Sequence, residues 1–294
     1  MDELRKYAAE LLEKGEVAAV IGYQQVSEKR TKPIIAKTAE DCAKLVFNEY
    51  CLNNLAVYLT KARVKELRRV NGAVLKLAIT AKPCDVHGIV ALIQESQLKR
   101  EDVTIISFNC AGVVKDFGMD FNGETLATKC VPCDTHKPLY SDMVFGEEKE
   151  TPKVSDEVLA KIEAIEKMSA AERFEYFKAE FDKCIKCYAC RAACPLCYCQ
   201  RCITDKTIPR WVESSAHSRG NFSWNVVRAF HLSGRCIGCG ECERACPMDI
   251  PLSLLNSKMV IEAKEAYSYV SGRSLETPTL VGSFDVKDSD ELFM

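Results

Sequence analysis

The sequence predicts an α/β domain with a parallel or mixed sheet, followed by a smaller α+β domain flanked by helices. Three observations lead there. Residues 73–110 read as strand, helix and strand, both strands continuously apolar. A polar, charged stretch at 146–157, GEEKETPKVSDE, reads as a linker. Beyond it, from Cys184 to Pro251, the chain is rich in cysteine. A length of 294 residues also suits about two domains.

Residues 3–14 place Leu4, Tyr7, Ala8, Leu11 and Leu12 on one helical face, with Asp2 as cap and Gly15 as stop. EVAAVIGYQQ and KPIIAKT read as short strands, and 39–48 and 55–69 as helices, the second closed by Asn71-Gly72. AVLKLAIT (73–80) and VTIISFNC (103–110) are buried strands joined by a helix over 87–99. Such a unit is parallel, with a right-handed crossover. It brings Cys84 and Cys110 together at the carboxyl edge, where open α/β sheets bind ligands. After the linker, one helix starts near Ser155. A second starts at Ser169, where Ser169 and Glu172 form a capping box. Phe174, Phe177 and Phe181 have the spacing of a buried stripe. A last helix covers 254–270, and the acidic tail 281–294 reads as an exposed arm. The expected division is 1–146 (α/β domain), 147–183 (linker and helical connector), 184–270 (cysteine-rich domain) and 271–294 (C-terminal arm).

Forty Lys and Arg nearly cancel 42 Asp and Glu, for a net charge of -2. No basic excess exists to displace counter-ions, so nucleic acid is not an expected partner. No run of 18 apolar residues suggests a transmembrane segment, and the charged, helical start is unlike a signal peptide. The expected location is a reducing, low-potential cytoplasm.

The outlier is cysteine, with 17 residues. Thirteen fall between Cys130 and Cys246, eleven of them in two dense runs. An odd, clustered set reads as metal binding rather than disulfide staples. Cys184, Cys187, Cys190 and Cys194 are spaced C-x2-C-x2-C-x3-C before Pro195, and Cys236, Cys239, Cys242 and Cys246 repeat this before Pro247. This is the bacterial ferredoxin spacing for two [4Fe-4S] clusters, whose fourth cysteine serves the sister cluster. One cluster is therefore expected on Cys184, Cys187, Cys190 and Cys246, and the other on Cys236, Cys239, Cys242 and Cys194. The C-terminal domain is thus expected to be an α+β dicluster ferredoxin-like domain.

Cys84 and Cys110, with the C-x2-C of Cys130 and Cys133, supply four more thiolates. They suit a third [4Fe-4S] cluster, with zinc as the rival ion for the same donor set. Cys197, Cys199 and Cys202 follow a different spacing. They are candidates for a further metal with His217 or His231, or for core thiols. Cys42 and Cys51 sit among apolar residues and read as core. His87, His136, His217 and His231 have no partner spacing that assigns a catalytic role.

At Lys82-Pro83-Cys84-Asp85 the chain resembles the beta subunit family of coenzyme F-420 reducing hydrogenase and formate dehydrogenase. The likeness runs over residues 1–146, through Pro83-Cys84, the helix from His87 to Leu98, Cys110, Cys130-x2-Cys133, and Pro138, Asp142 and Gly146. It implies a [4Fe-4S] cluster on Cys84, Cys110, Cys130 and Cys133, FAD beside it, and electron passage between flavin and iron–sulfur chains. No G-x-G-x-x-G loop marks an independent nucleotide site. The resulting expectation is an iron–sulfur electron-transfer subunit of a formate dehydrogenase or hydrogenase type complex. It would pass electrons to a flavin or heterodisulfide-reductase-like subunit. The alternative is a flavin-dependent reductase with its own substrate, fed by the ferredoxin domain.

The 41 residues between Cys194 and Cys236 are locally basic, with Arg210, Arg219, Arg228 and Arg235 and one carboxylate, Glu213, in the stretch from Ile208 to Arg235. SWNVVRAFHL predicts a helix capped by Ser223 and ended by Gly234. Val226, Val227, Phe230 and Leu232 are expected to pack over the clusters. Arg219, Arg228 and Arg235 are candidates to face an acidic partner or an anionic cofactor.

Overall fold

The computed structural model describes residues 1–148, 150–152, 154, 156–284 and 286. The first half contains α1 (Asp2–Glu13), β1 (Val17–Ser27), β2 (Arg30–Ala36), α2 (Ala39–Cys42), β3 (Leu45–Val46), α3 (Ala62–Glu66), β4 (Arg69–Val70), β5 (Ala73–Val74), β6 (Lys76–Ala81), α4 (Pro83–Gln94), β7 (Val103–Phe108) and β8 (Met143–Phe145). The second contains α5 (Glu157–Glu166), α6 (Ala170–Asp182), α7 (Ala189–Ala193), α8 (Ser218–His231), α9 (Glu241–Arg244) and α10 (Leu252–Tyr267). The result is a mixed α/β sheet domain followed by a cysteine-rich α+β region with flanking helices.

The sheet runs β2-β1-β6-β7-β8. β1 pairs antiparallel with β2 and β3, whereas the β1–β6, β6–β7 and β7–β8 pairs are parallel. The central strands read as continuous apolar runs because both faces are covered. On one face α1 inserts Leu4, Ala8 and Leu11 against Val20, Ala78 and Ile106. On the other, α4 packs Val86, Ile89 and Val90 against Ile79 and Ile105. Leu196 and Leu232, from the cysteine-rich half, close that second core, so the two halves share one apolar layer.

The β6–α4–β7 unit stands as the sequence predicts, but α4 starts earlier, at Pro83 rather than residue 87. Proline at the first helical position loses no hydrogen bond. The Asp85 carboxylate accepts from the Lys82 N–H at 3.1 Å, closing the first turn. Cys84 therefore sits inside the first turn of α4.

The long helices expected at 39–48 and 55–69 are not formed. The first is one turn, α2, followed by β3. The second breaks into a 3-10 segment, Leu55–Thr60, and α3. Asn71-Gly72 does not end a helix. Both residues have positive φ, 50° and 84°, and join β4 to β5 as a tight hairpin. The last helix begins at Leu252 and ends at Tyr267. The helix expected near Ser155 starts at Glu157, capped by Asp156, and Ser155 itself lies outside the described residues. α6 follows Ser169 with both bonds of the capping box.

The C-terminal stretch crosses back over the first domain. Arg273 bonds Asp134 and Thr135, Glu276 accepts from Tyr140, and Gln94 donates to the Thr277 carbonyl. Val281, Phe284 and Val286 are exposed. The rest of the expected arm, 285 and 287–294, lies outside the described residues. No helix among the described residues is long and apolar enough to cross a membrane.

Candidate metal centre

The two cysteine quartets fold as a structural repeat. Cys184-Ile-Lys-Cys187-Tyr-Ala-Cys190 and Cys236-Ile-Gly-Cys239-Gly-Glu-Cys242 each wrap a loop that enters a short helix, α7 or α9. Lys186 and Tyr188 have φ of 56° and 58°; their counterparts Gly238 and Gly240 have 68° and 65°. The second repeat uses glycine for this left-handed turn, and the first uses side chains held elsewhere. Lys186 Nζ donates to the Glu213 carbonyl at 2.6 Å, and Tyr188 packs edge-on against Trp224. In both loops a backbone N–H two residues on donates to the leading sulfur. Lys186 N reaches Cys184 Sγ, and Gly238 N reaches Cys236 Sγ, each at 3.5 Å. Donors aimed at sulfur favour the thiolate.

The fourth cysteine of each run turns toward the other loop. Cys246 lines a small cavity with Cys184, Cys187 and Cys190. Cys194 lies near enough to Cys236, Cys239 and Cys242 to raise the pKa of each thiol, burial being the larger cause. Cys236 is pushed up to about 12.

Cys84, Cys110, Cys130 and Cys133 line a larger cavity of about 570 Å³. Four separate elements deliver them: the first turn of α4, the end of the β7 loop, a 3-10 turn at Thr128–Cys130, and the loop after it. Gly112 N donates to Cys110 Sγ at 3.4 Å, the same device as in the quartets. Burial pushes the Cys110 thiol up to about 11, with Cys130 and Cys133 adding to the rise. Cys236, Cys239 and Cys242 form another wall of this cavity.

Two charged pairs brace these walls. Lys82 and Asp85 are fully buried, with Nζ 3.0 Å from Oδ2. Lys82 Nζ also donates to the Asn53 carbonyl at 2.6 Å and to the Tyr23 hydroxyl at 2.5 Å. Burial opposes its charge, but Asp85, Cys84 and Cys51 outweigh that and raise its pKa. Lys129, beside Cys130, reaches Glu241 of the second quartet at 3.6 Å, and Arg244 holds the same carboxylate.

A set of four sulfurs is the donor chemistry of an iron–sulfur cluster. A single tetrahedral zinc would gather them to within about 4 Å of one another. Among the described residues, no three His, Cys, Asp or Glu side chains converge on one such point. The cavity also holds unpaired polar atoms. Asn256 is buried and donates Nδ2 to Cys242 Sγ at 3.6 Å; among the described residues its Oδ1 and the buried His87 Nε2 have no partner.

Cys197, Cys199 and Cys202 are not brought together. The Cys197 N–H donates to the Cys194 carbonyl at 3.3 Å, Cys199 is exposed, and Cys202 caps the 3-10 turn at Ile203–Asp205. His217 and His231 are exposed at opposite ends of α8. Cys42 and Cys51 are core thiols, each pushed up to about 11 by burial.

The basic insert also differs from its sequence reading. α8 begins at Ser218, not after Ser223, and Phe230 is exposed while Trp224 and Leu232 are buried. Of its arginines, only Arg219 is exposed on α8. Arg235 pairs with Glu95, and Arg228 is buried among cysteines. Spacing gave no signal for Lys82, Asp85, Lys129 and Glu241 as braces, because each pair forms only when separate loops fold together or a helix turn is buried.

A protein-family profile described as a 4Fe-4S dicluster domain matches residues 183–251. The chain is an iron–sulfur protein with this domain in its second half. It is 27% identical to the F420-dependent formate dehydrogenase subunit beta of Methanocaldococcus jannaschii, over 70% of this chain and 76% of that protein. It is 23% identical to the F420-dependent formate dehydrogenase 1 subunit beta of Methanococcus maripaludis, over 92% of this chain and 90% of that one. The second alignment runs past residue 146, so the resemblance is not confined to the α/β domain.

Proposed function

We propose that the chain is an iron–sulfur electron-transfer subunit of a formate dehydrogenase or hydrogenase type complex. It would relay electrons between a catalytic subunit and a flavin or heterodisulfide-reductase-like partner. The proposed organisation keeps 1–146 as the α/β domain, 147–183 as connector, 184–270 as the two-cluster domain and 271–294 as the arm. Cys184, Cys187, Cys190 and Cys246 would hold one [4Fe-4S] cluster. Cys236, Cys239, Cys242 and Cys194 would hold a second, and Cys84, Cys110, Cys130 and Cys133 a third. Bound there, the clusters would supply one-electron transfer.

The observation that carries this reading is the shared cavity. Cys84, Cys110, Cys130 and Cys133 face Cys236, Cys239 and Cys242 across one space. α7, which carries Cys190 and ends at Cys194, would then link the second set to the first. On this reading the three sets would form a series, with the second set between the other two. Lys82 and Asp85 hold the first turn of α4, and with it the Cys84 sulfur. Lys129 and Glu241 keep the cavity's two walls in register. Burial of Cys130, Cys190 and Cys239 keeps water from the sulfurs.

The test is anaerobic purification with identification of co-purifying subunits and measurement of iron, sulfide, zinc and flavin. The expected result is about twelve irons per chain, from three four-iron sites, together with oxidoreductase subunits. Eight irons and one zinc would remove the third cluster and leave the dicluster domain. The cavity volume is also within the usual range for small-molecule sites, which favours a second reading as a flavin-dependent reductase. Stoichiometric FAD released by acid, with turnover by the isolated chain, would establish that reading instead.

A further inference from the structure

α8 packs against cysteines of both ferredoxin-type sets, and Arg228 on that helix lies beside members of each. The residue is only 4% exposed. Its Nη2 donates to the Cys190 carbonyl at 3.2 Å, it lies close enough to Cys242 to favour that thiolate, and its Nε is buried without a partner among the described residues. No Asp or Glu forms an ion pair with it among the described residues; the groups acting on its charge are Cys242, Cys194, Cys197 and Cys190. Burial opposes the charge and these thiols favour it. Cys190 belongs to one set, whereas Cys194 and Cys242 belong to the other.

A guanidinium cannot escape burial by losing its proton. Left without an anion, a buried cation costs several kcal/mol. At the larger cavity the lysines are paired, Lys82 with Asp85 and Lys129 with Glu241. Arg228 has thiols instead. Four thiolates around an iron–sulfur core give a net anion, and each added electron makes it more negative.

We propose that Arg228 is the shared counter-ion of the two ferredoxin-type clusters and raises the reduction potential of both. The proposal rests on the two ligand sets assigned above. The reduced form gains more from the fixed positive charge than the oxidised form does, so the electron is held more tightly at both sites. No proton accompanies this effect, because the guanidinium keeps its own. Arg228 is a tuning residue: it acts through its charge near Cys242 and through the backbone of Cys190, and it binds no substrate.

The experiment is an EPR-monitored redox titration of the full iron-loaded chain and of its Arg228→Gln and Arg228→Lys variants, with iron measured first. In Arg228→Gln, reduction of both ferredoxin-type clusters is expected to become at least tenfold less favourable, a downward shift of about 59 mV or more for a one-electron couple. Arg228→Lys is expected to recover most of that shift. The cluster at Cys84 is expected to stay in place, since the thiols acting most on the Arg228 charge all belong to the cysteine-rich half. Unchanged potentials in fully loaded Arg228→Gln would overturn the proposal. So would an equal shift in Arg228→Lys, which would mark a packing role. Should Arg228→Gln lose iron, Arg228→Lys decides: loaded with near-native potentials it supports a counter-ion, and emptied it shows a structural fork. Fewer than two ferredoxin-type EPR signals in the unsubstituted chain would overturn the ligand assignment instead.

Discussion

Arg235 grips Glu95 through two parallel hydrogen bonds, Nε to Oε1 and Nη2 to Oε2, each 2.6 Å long. Glu95 closes the C-terminal end of α4, the helix that begins beside Cys84, and Arg235 immediately precedes Cys236. The pair therefore ties the scaffold of one cysteine set to the scaffold of another. Tyr198 completes the clasp. Its hydroxyl bonds Glu95, and its ring lies 4.9 Å from the guanidinium. Burial, and then the bond to Glu95, push its phenol up to about 12.

Arg235→Met should weaken the joint between the two halves. Hydrogen bonds to charged groups contribute about 1.5–3 kcal/mol, and Tyr198 would still satisfy part of Glu95, so a loss near the lower end is expected. Anaerobic urea unfolding followed by tryptophan fluorescence would measure it. A cycle with Glu95→Leu should give a coupling of about 0.5–3 kcal/mol. Strictly additive losses would show that the two side chains do not cooperate.

Lys82→Met should destabilise more strongly. It leaves the Asp85 carboxylate fully buried beside Cys84 with no cation, and removing one partner of a buried pair costs about 3–5 kcal/mol. The double variant Lys82→Met with Asp85→Leu should recover part of that loss, since no charge is then stranded. Unfolding of the iron-free chain isolates this effect from metal binding. A single-variant loss no larger than a surface substitution, about 0.5 kcal/mol, would mean that water replaces the ammonium.

Gly272→Ala should loosen the C-terminal crossing. Gly272 has a φ of +75°, and a Cβ there would lie 2.2 Å from the His87 carbonyl oxygen, a backbone atom of α4 that cannot swing aside. Strain of this kind costs about 1–3 kcal/mol before the clash is counted. Faster proteolysis of the segment after residue 270 is expected, checked by mass spectrometry of the fragments. Equal cleavage rates in variant and parent would show that the segment is not held by this contact.

Cys246→Ala and Cys194→Ala should damage different clusters. Cys246 lies with Cys184, Cys187 and Cys190, and Cys194 with the second quartet. EPR of the two variants should show loss of different signals: Cys246→Ala should remove the one also lost in Cys187→Ala, and Cys194→Ala the one lost in Cys239→Ala. The reverse pairing would mean that each run keeps its own fourth ligand.

The sequence by itself determined the parts of the site whose geometry is local. C-x2-C-x2-C-x3-C sets three sulfurs on one loop and sends the fourth away after one helical turn, so the two quartets were legible from spacing alone. The parallel β6–α4–β7 unit was legible because both strands are apolar throughout and the helix between them has one admissible hand. It also announced that Cys84 and Cys110 would share a sheet edge. Short elements were not legible: the pattern at 39–48 and 55–69 looks helical, but the pairing of β1 with Leu45–Val46 divides the first and extended backbone at Lys61 divides the second. Only the tertiary structure decided what stands between the sites. Arg228 and Arg219 are alike in sequence, yet one is buried against the Cys190 carbonyl and the other faces solvent. Glu95 gives no local sign that Arg235, far along the chain, will meet it. Charge pairs across loops depend on where separate segments come to rest, and that is settled by burial of the shared apolar layer rather than by any local propensity.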